Sequence, residues 1–106
     1  MTEGRKDDYD KPRWDLLPWA EVGQVVEILT FGAKKYEDNN WKRVQFAEPR
    51  YLAAAMRHLV AWIEGAEKDE ESGKSHLAHA VCCLLFIMWF RNEPSRRKSN
   101  SISEMK

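Results

Sequence analysis

The sequence predicts an all-α fold, a small helical bundle of three main helices joined by short loops. Three observations carry that prediction. Apolar residues recur at helical spacing through residues 18–36 and 48–67, a third stretch at Ala80–Phe90 is apolar without interruption, and no segment alternates apolar and polar side chains as a half-buried strand does. At 106 residues the chain suits a single domain. That domain is expected over 1–94, with a polar, disordered tail at 95–106.

The first helix is expected from about Pro18 to Tyr36, because Pro18 suits a first helical turn. Val22, Val25, Val26, Leu29 and Ala33 then form one apolar stripe. The following EDNNWKRVQFAEP is dense in turn-forming residues and reads as a loop. A second helix is expected over Glu48–Glu67. It carries Leu52, Met56, Leu59 and Ile63 on one side and Ala54, His58, Ala61, Trp62 and Gly65 on another. A helix apolar on two sides is packed on two sides. The third helix is expected over Ser75–Arg91, with Ser75 as its N-cap. Past His79 it is apolar all the way round, so burial between subunits as well as within one is implied. A homo-oligomer, dimer or tetramer, built through 75–91 is therefore expected.

Composition excludes several functions. The 17 basic and 17 acidic side chains cancel, which argues against a general nucleic-acid binder. The longest apolar run, Ala80–Phe90, is too short for the roughly 20 residues of a membrane span. Cys82 and Cys83 are adjacent within that run and read as free core thiols. The N-terminal MTEGRKDDYDK has no apolar signal segment, so a cytoplasmic protein is expected.

Three features could carry chemistry. The string SGKS at 72–75 resembles the end of a phosphate-binding loop. That motif needs a glycine five residues before Gly73, where Lys68 stands, so a turn followed by a helix cap is the better reading. His76 and His79 share one helix face at i and i+3, and an antiparallel hairpin closed near 68–74 brings His58 towards them. With Asp69 and Glu71 on the connection and Glu64 at the end of the second helix, this is either a metal site or a set of core histidines bonded to loop groups. The third feature is a basic–aromatic set: Lys11, Arg13, Trp14, Lys34, Lys35, Tyr36, Asn40, Trp41, Lys42 and Arg43. Cations alternating with flat rings suit a ligand bearing phosphates and a base, and equally suit a solvated helix end.

Three ordered blocks, DKPRWDLLPW, LTFGAKKY with NW close behind, and RHLVAWIEG followed by HLAHA, resemble the small dATP/dGTP diphosphohydrolase-like domains of bacteriophages. These look like distant relatives of the all-α MazG-type nucleotide pyrophosphohydrolases. The resemblance covers roughly residues 8–90. It implies an oligomeric, Mg²⁺-dependent enzyme that cuts a purine deoxynucleoside triphosphate to the monophosphate and pyrophosphate in the host cytoplasm, while the imidazole pair itself suits Mn²⁺ or Zn²⁺. Glu64, Asp69, Glu71 and His76 are then the expected metal ligands. His58, Glu71 and His79 are the expected catalytic groups, and Lys11, Arg13, Trp14, Lys34, Lys35, Tyr36, Asn40 and Trp41 the expected nucleotide contacts. The chain departs from MazG-type proteins in lacking their paired acidic motifs, offering Arg57-His58-x-x-Ala61 and His76-x-x-His79 instead. A second expectation follows from that departure: a non-catalytic protein that sequesters a host signalling nucleotide.

Overall fold

The computed structural model describes residues 3–97 and 100–102. Among these the regular elements are helical: α1 (Trp19–Lys35), α2 (Ala47–Ile63), α3 (His76–Arg91) and the single turn α4 (Pro94–Arg97). Short 3-10 turns lie at Trp14–Leu16 and Asn40–Arg43. The all-α expectation is met, with α4 added to the three main helices.

Pro18 stands just outside α1 as its N-cap, and its carbonyl accepts from Glu21 and Val22 N–H at 3.1 Å each. Val25 and Ile28 are the buried residues of α1, packing with Ala78 and Cys82 of α3 and flanked by Leu29 and Phe86. The expected stripe is thus rotated. Val26 is 52% exposed, while Ile28 takes its place inside, because α1 meets α3 along a narrow seam.

Helix α2 stops four residues before the expected Glu67. Gly65 adopts φ +102°, its N–H bonds the Trp62 carbonyl at 3.0 Å, and Ala66 N–H bonds the Ala61 carbonyl at 3.0 Å. That pair of bonds is a Schellman stop, which satisfies the last carbonyls by a left-handed residue and favours glycine there. The connection then doubles back through a bridge between Lys68 and Ser75. Ser75 caps α3 as expected, its hydroxyl accepting from Leu77 and Ala78 N–H at 3.1 and 3.4 Å.

Helices α2 and α3 form an antiparallel hairpin. The pairs His58–His76 near its turn and Tyr51–Phe86 further along set that direction. Trp41 folds onto the same helix, stacked on Phe86 at 4.3 Å between ring centres and edge-on to Trp89 at 5.1 Å. This anchors the 36–46 connection over the C-terminal half of α3.

Of the tail expected to be disordered, residues 98, 99 and 103–106 lie outside the described residues. Its described part is packed: Asn100 Oδ1 accepts from Ala47 N–H at 2.9 Å and the Asn100 carbonyl accepts from Glu48 N–H at 3.0 Å. Asn100 supplies the cap that Phe46, itself at φ +52°, does not. Beneath it Glu48 is fully buried, with Arg91 Nε 2.8 Å from Oε1, an ion pair by distance whose alignment falls short of a hydrogen bond. The start of α2 suits that carboxylate as well, since a helix N-terminus favours negative charge.

Candidate functional site

The end of α1, the 36–41 connection, α2, the 64–75 connection and α3 together enclose a cleft of about 800 Å³. That volume lies within the range of small-molecule sites. Its wall is aromatic, with Tyr36, Trp41, Tyr51, Phe86 and Trp89. One end is polar, where His58, His79, Asp69 and Glu71 meet.

That polar end is held by short bonds. The Nδ1 atoms of His58 and His76 lie 2.8 Å apart, and the rings of His58 and His79 stack at 4.5 Å with 10° between planes. His79 Nε2 is 2.7 Å from the Ser72 hydroxyl and 3.9 Å from Asp69 Oδ2. Ser72 N–H donates to Asp69 Oδ2 at 2.9 Å, and Gly73 N–H donates to the Asp69 carbonyl at 2.8 Å, so the loop clamps this aspartate. Gly73 sits at φ +71° to make that turn.

Burial sets the charge states. It lowers the pKa of His58, and the neighbouring imidazoles of His79 and His76 lower it further. Burial also lowers His79, outweighing the opposite pull of Asp69. For Asp69 burial alone would raise the pKa, but the bonds from the Ser72 N–H and hydroxyl and the nearby histidines bring it below the usual range. A carboxylate thus faces imidazoles that favour their neutral form. On the far wall, burial pushes the Tyr51 phenol up to about 12, and its hydroxyl reaches the Trp41 carbonyl at 3.4 Å.

The structure brings together part of the expected site. His58, His76, His79 and Asp69 converge, and Lys35, Tyr36, Asn40, Trp41 and Glu71 line the same cleft. Lys35 forms an ion pair with Glu71 across the cleft, and Trp41 has one ring face committed to Phe86. Lys11, Arg13, Trp14 and Lys34 are exposed and lie outside the lining; Arg13 bonds Asp15 at 2.6 Å instead. Glu64, the C-cap of α2, is exposed and apart from the cluster. Glu27 of α1 pairs with Lys74 of the 64–75 connection at 2.8 Å.

Sequence reasoning passed over Asp38, Tyr51, Phe86 and Trp89 as lining residues. One signal existed: His79, Cys82, Phe86 and Trp89 share a face by spacing. In a helix that is apolar all round, that face does not stand out.

The family dATP/dGTP diphosphohydrolase, N-terminal, matches residues 1–100. A curated protein of Salmonella phage PMBT28, named dATP/dGTP diphosphohydrolase, is 33% identical over 89 residues, which is 84% of this chain and 30% of that protein. The chain therefore spans under a third of that relative's length. No solved structure matches it. No described helix is long and apolar enough to cross a membrane. With the whole of its helical body inside the family match, the chain belongs to the dATP/dGTP diphosphohydrolase N-terminal domain family.

Proposed function

We propose that the cleft binds a purine deoxynucleoside triphosphate as its divalent-cation complex, and that the protein hydrolyses it to the monophosphate and pyrophosphate. The observation that carries this reading is the meeting of His79, Ser72 and Asp69 at one end of a cleft of about 800 Å³ with aromatic walls. The relative's name supports dNTP hydrolysis in general.

Charge explains why the substrate arrives with its cation. The lining holds Glu37, Asp38, Asp69 and Glu71 against Lys35 as its cation, so a bare triphosphate would be repelled. Magnesium fits this role, since it keeps several waters and is met by one or two carboxylates plus the phosphates. Carried on the nucleotide, it neutralises phosphate charge and polarises the attacked phosphorus. A resident all-carboxylate cage for it is not assembled among the described residues, because Glu71 is paired with Lys35, Glu27 with Lys74, and Glu64 lies apart.

The side chains then have distinct tasks. With the His79 proton on Nε2, shared with the Ser72 hydroxyl 2.7 Å away, Nδ1 keeps its lone pair. That nitrogen takes the proton from the attacking water, a role suited to a neutral imidazole. Tyr36, a residue 62% exposed, supplies a stacking face for the base. Lys35 leaves Glu71 to meet the departing phosphate oxygens.

Assembly belongs to the same reading. Leu52, Met56, Leu59 and Ile63 of α2 and Leu77, Val81, Leu84 and Met88 of α3 are 38–72% exposed in the single chain. Both sets follow the 4-3-4 spacing of a coiled-coil seam. On each helix the stripe lies about 100° further round, in the direction of chain progress, than the inward-facing seam of Tyr51, Ala55 and His58 or of Ala80, Cys83 and Phe90. Because the helices are antiparallel, both stripes fall on one side of the hairpin. A second copy presenting the same face buries both as a four-helix bundle.

Purified protein incubated with each dNTP and Mg²⁺ or Mn²⁺ is expected to release pyrophosphate from dATP and dGTP, and His79→Asn to release at least a hundredfold less. No turnover with any nucleotide and any divalent ion overturns the reading. Recovery of an intact nucleotide, bound equally well in EDTA, would establish sequestration in its place. The cations that motivated sequestration, Lys11, Arg13 and Lys34, lie outside the lining.

A further inference from the structure

We propose that His58, His76 and Asp69 form a resident binding site for a divalent transition-metal ion of the zinc class, at the floor of the cleft. The three come from α2, the 64–75 connection and the first turn of α3. Each offers one ligand atom, and those atoms lie within 4.8 Å of one another.

The donor set decides the kind of ion. Magnesium wants six hard oxygens, whereas two imidazole nitrogens with one carboxylate suit zinc, cobalt, manganese or iron. Zinc holds each imidazole nitrogen at about 2.0–2.1 Å, which puts two such nitrogens about 3.3 Å apart on a tetrahedral ion. His58 Nδ1 and His76 Nδ1 already lie 2.8 Å apart, so widening that gap by about half an ångström and turning the rings until both lone pairs converge admits the ion.

The support around the ligands is in place as well. Asp69 is fixed through Oδ2 by the Ser72 N–H, which leaves Oδ1 for a metal, and such outer partners orient ligands. His76 is buried, and its backbone N–H is tied to the Glu67 carbonyl at 2.8 Å. His79 stacks on His58 with Nε2 committed to Ser72, so it stands beside the ligand set. His58 and Asp69 both line the cleft, so the remaining coordination positions open onto it. A metal there binds whether or not the cleft hydrolyses nucleotides.

The test needs no nucleotide. Untagged full-length chain, stripped with EDTA and gel-filtered, is titrated with Zn²⁺ by calorimetry and with Co²⁺ by visible absorption. One ion per chain is expected. Mg²⁺ under the same conditions binds at least a hundredfold more weakly, and His58→Gln and Asp69→Asn each weaken Zn²⁺ at least tenfold while keeping helical circular dichroism. The wild-type chain gives a readout that requires no variant to fold: on Zn²⁺ addition, the imidazole ¹⁵N resonances that move are Nδ1 of two histidines. Absence of Zn²⁺ and Co²⁺ binding overturns the proposal. So does undiminished binding in both variants, movement of Nε2 instead, or a cobalt–thiolate charge-transfer band assigning the ion to Cys82 and Cys83.

Discussion

The two faces of the α2–α3 hairpin are both apolar, yet they do opposite things. Towards α1 and the cleft, the hairpin buries small and aromatic residues, Ala78, Cys82 and Phe86 among them, and seats three histidines where the connection delivers Asp69. The opposite face shows Met56, Ile63, Leu84 and Met88 at 57%, 72%, 47% and 58% exposure, with no other described element laid over them. The comparison teaches that hydrophobicity alone does not separate core from exposed surface. What separates them is whether the same chain supplies a cover.

Breaking the outer face should give the largest effect. Met56→Asp with Leu84→Asp places four carboxylates in the proposed two-copy interface and removes four apolar side chains that are about half exposed in the single chain, about 3 kcal/mol at the low end of the burial they would gain. Sedimentation equilibrium should then report monomers, while circular dichroism retains full helix content. A variant that still associates like the wild type would mean that this face is not the interface. On the inner side, Phe90 is 1% exposed. Phe90→Ala should cost about 3–5 kcal/mol in urea denaturation, through lost burial and the cavity left behind. Loss of less than about 1 kcal/mol would show that α3 is not held against α2 as described.

The gentlest probe is pH. His58 and His79 have pKa values in the folded chain below the ordinary 6.5, with burial as the first cause. Between the folded value and 6.5 the unfolded chain binds more protons, so stability is complete above about 6.5 and declines as pH falls below it. Metal-free protein should therefore melt at a lower temperature at pH 5.5 than at 7.5. His58→Gln with His79→Gln should flatten that slope, whereas substitutions on the outer face, which presents no histidine, leave it unchanged.

Much of this was legible in the chain because it rests on local physics. The helical class, the Ser75 cap and the 4-3-4 apolar spacing each depend on residues within a turn or two of one another. The convergence of His58, His76 and His79 was also legible, since a hairpin closed near 68–74 leaves little freedom in register. The Schellman stop at Gly65 was visible only as a glycine, and the helix was expected to run past it to Glu67.

What only the tertiary structure decided concerns partners far apart in sequence. Lys35 and Lys34 are adjacent, yet one lines the cleft and pairs with Glu71 while the other points to water, because α1 meets α3 along a single narrow seam. Trp41 reads as a stacking platform in sequence, but Phe86, 45 positions later, takes one face of its ring. Asn100 reads as tail and caps α2 across 53 residues. Periodicity says which side chains must leave water. Which chain segment covers them, and so where a cleft remains open, depends on long-range packing that no local window contains.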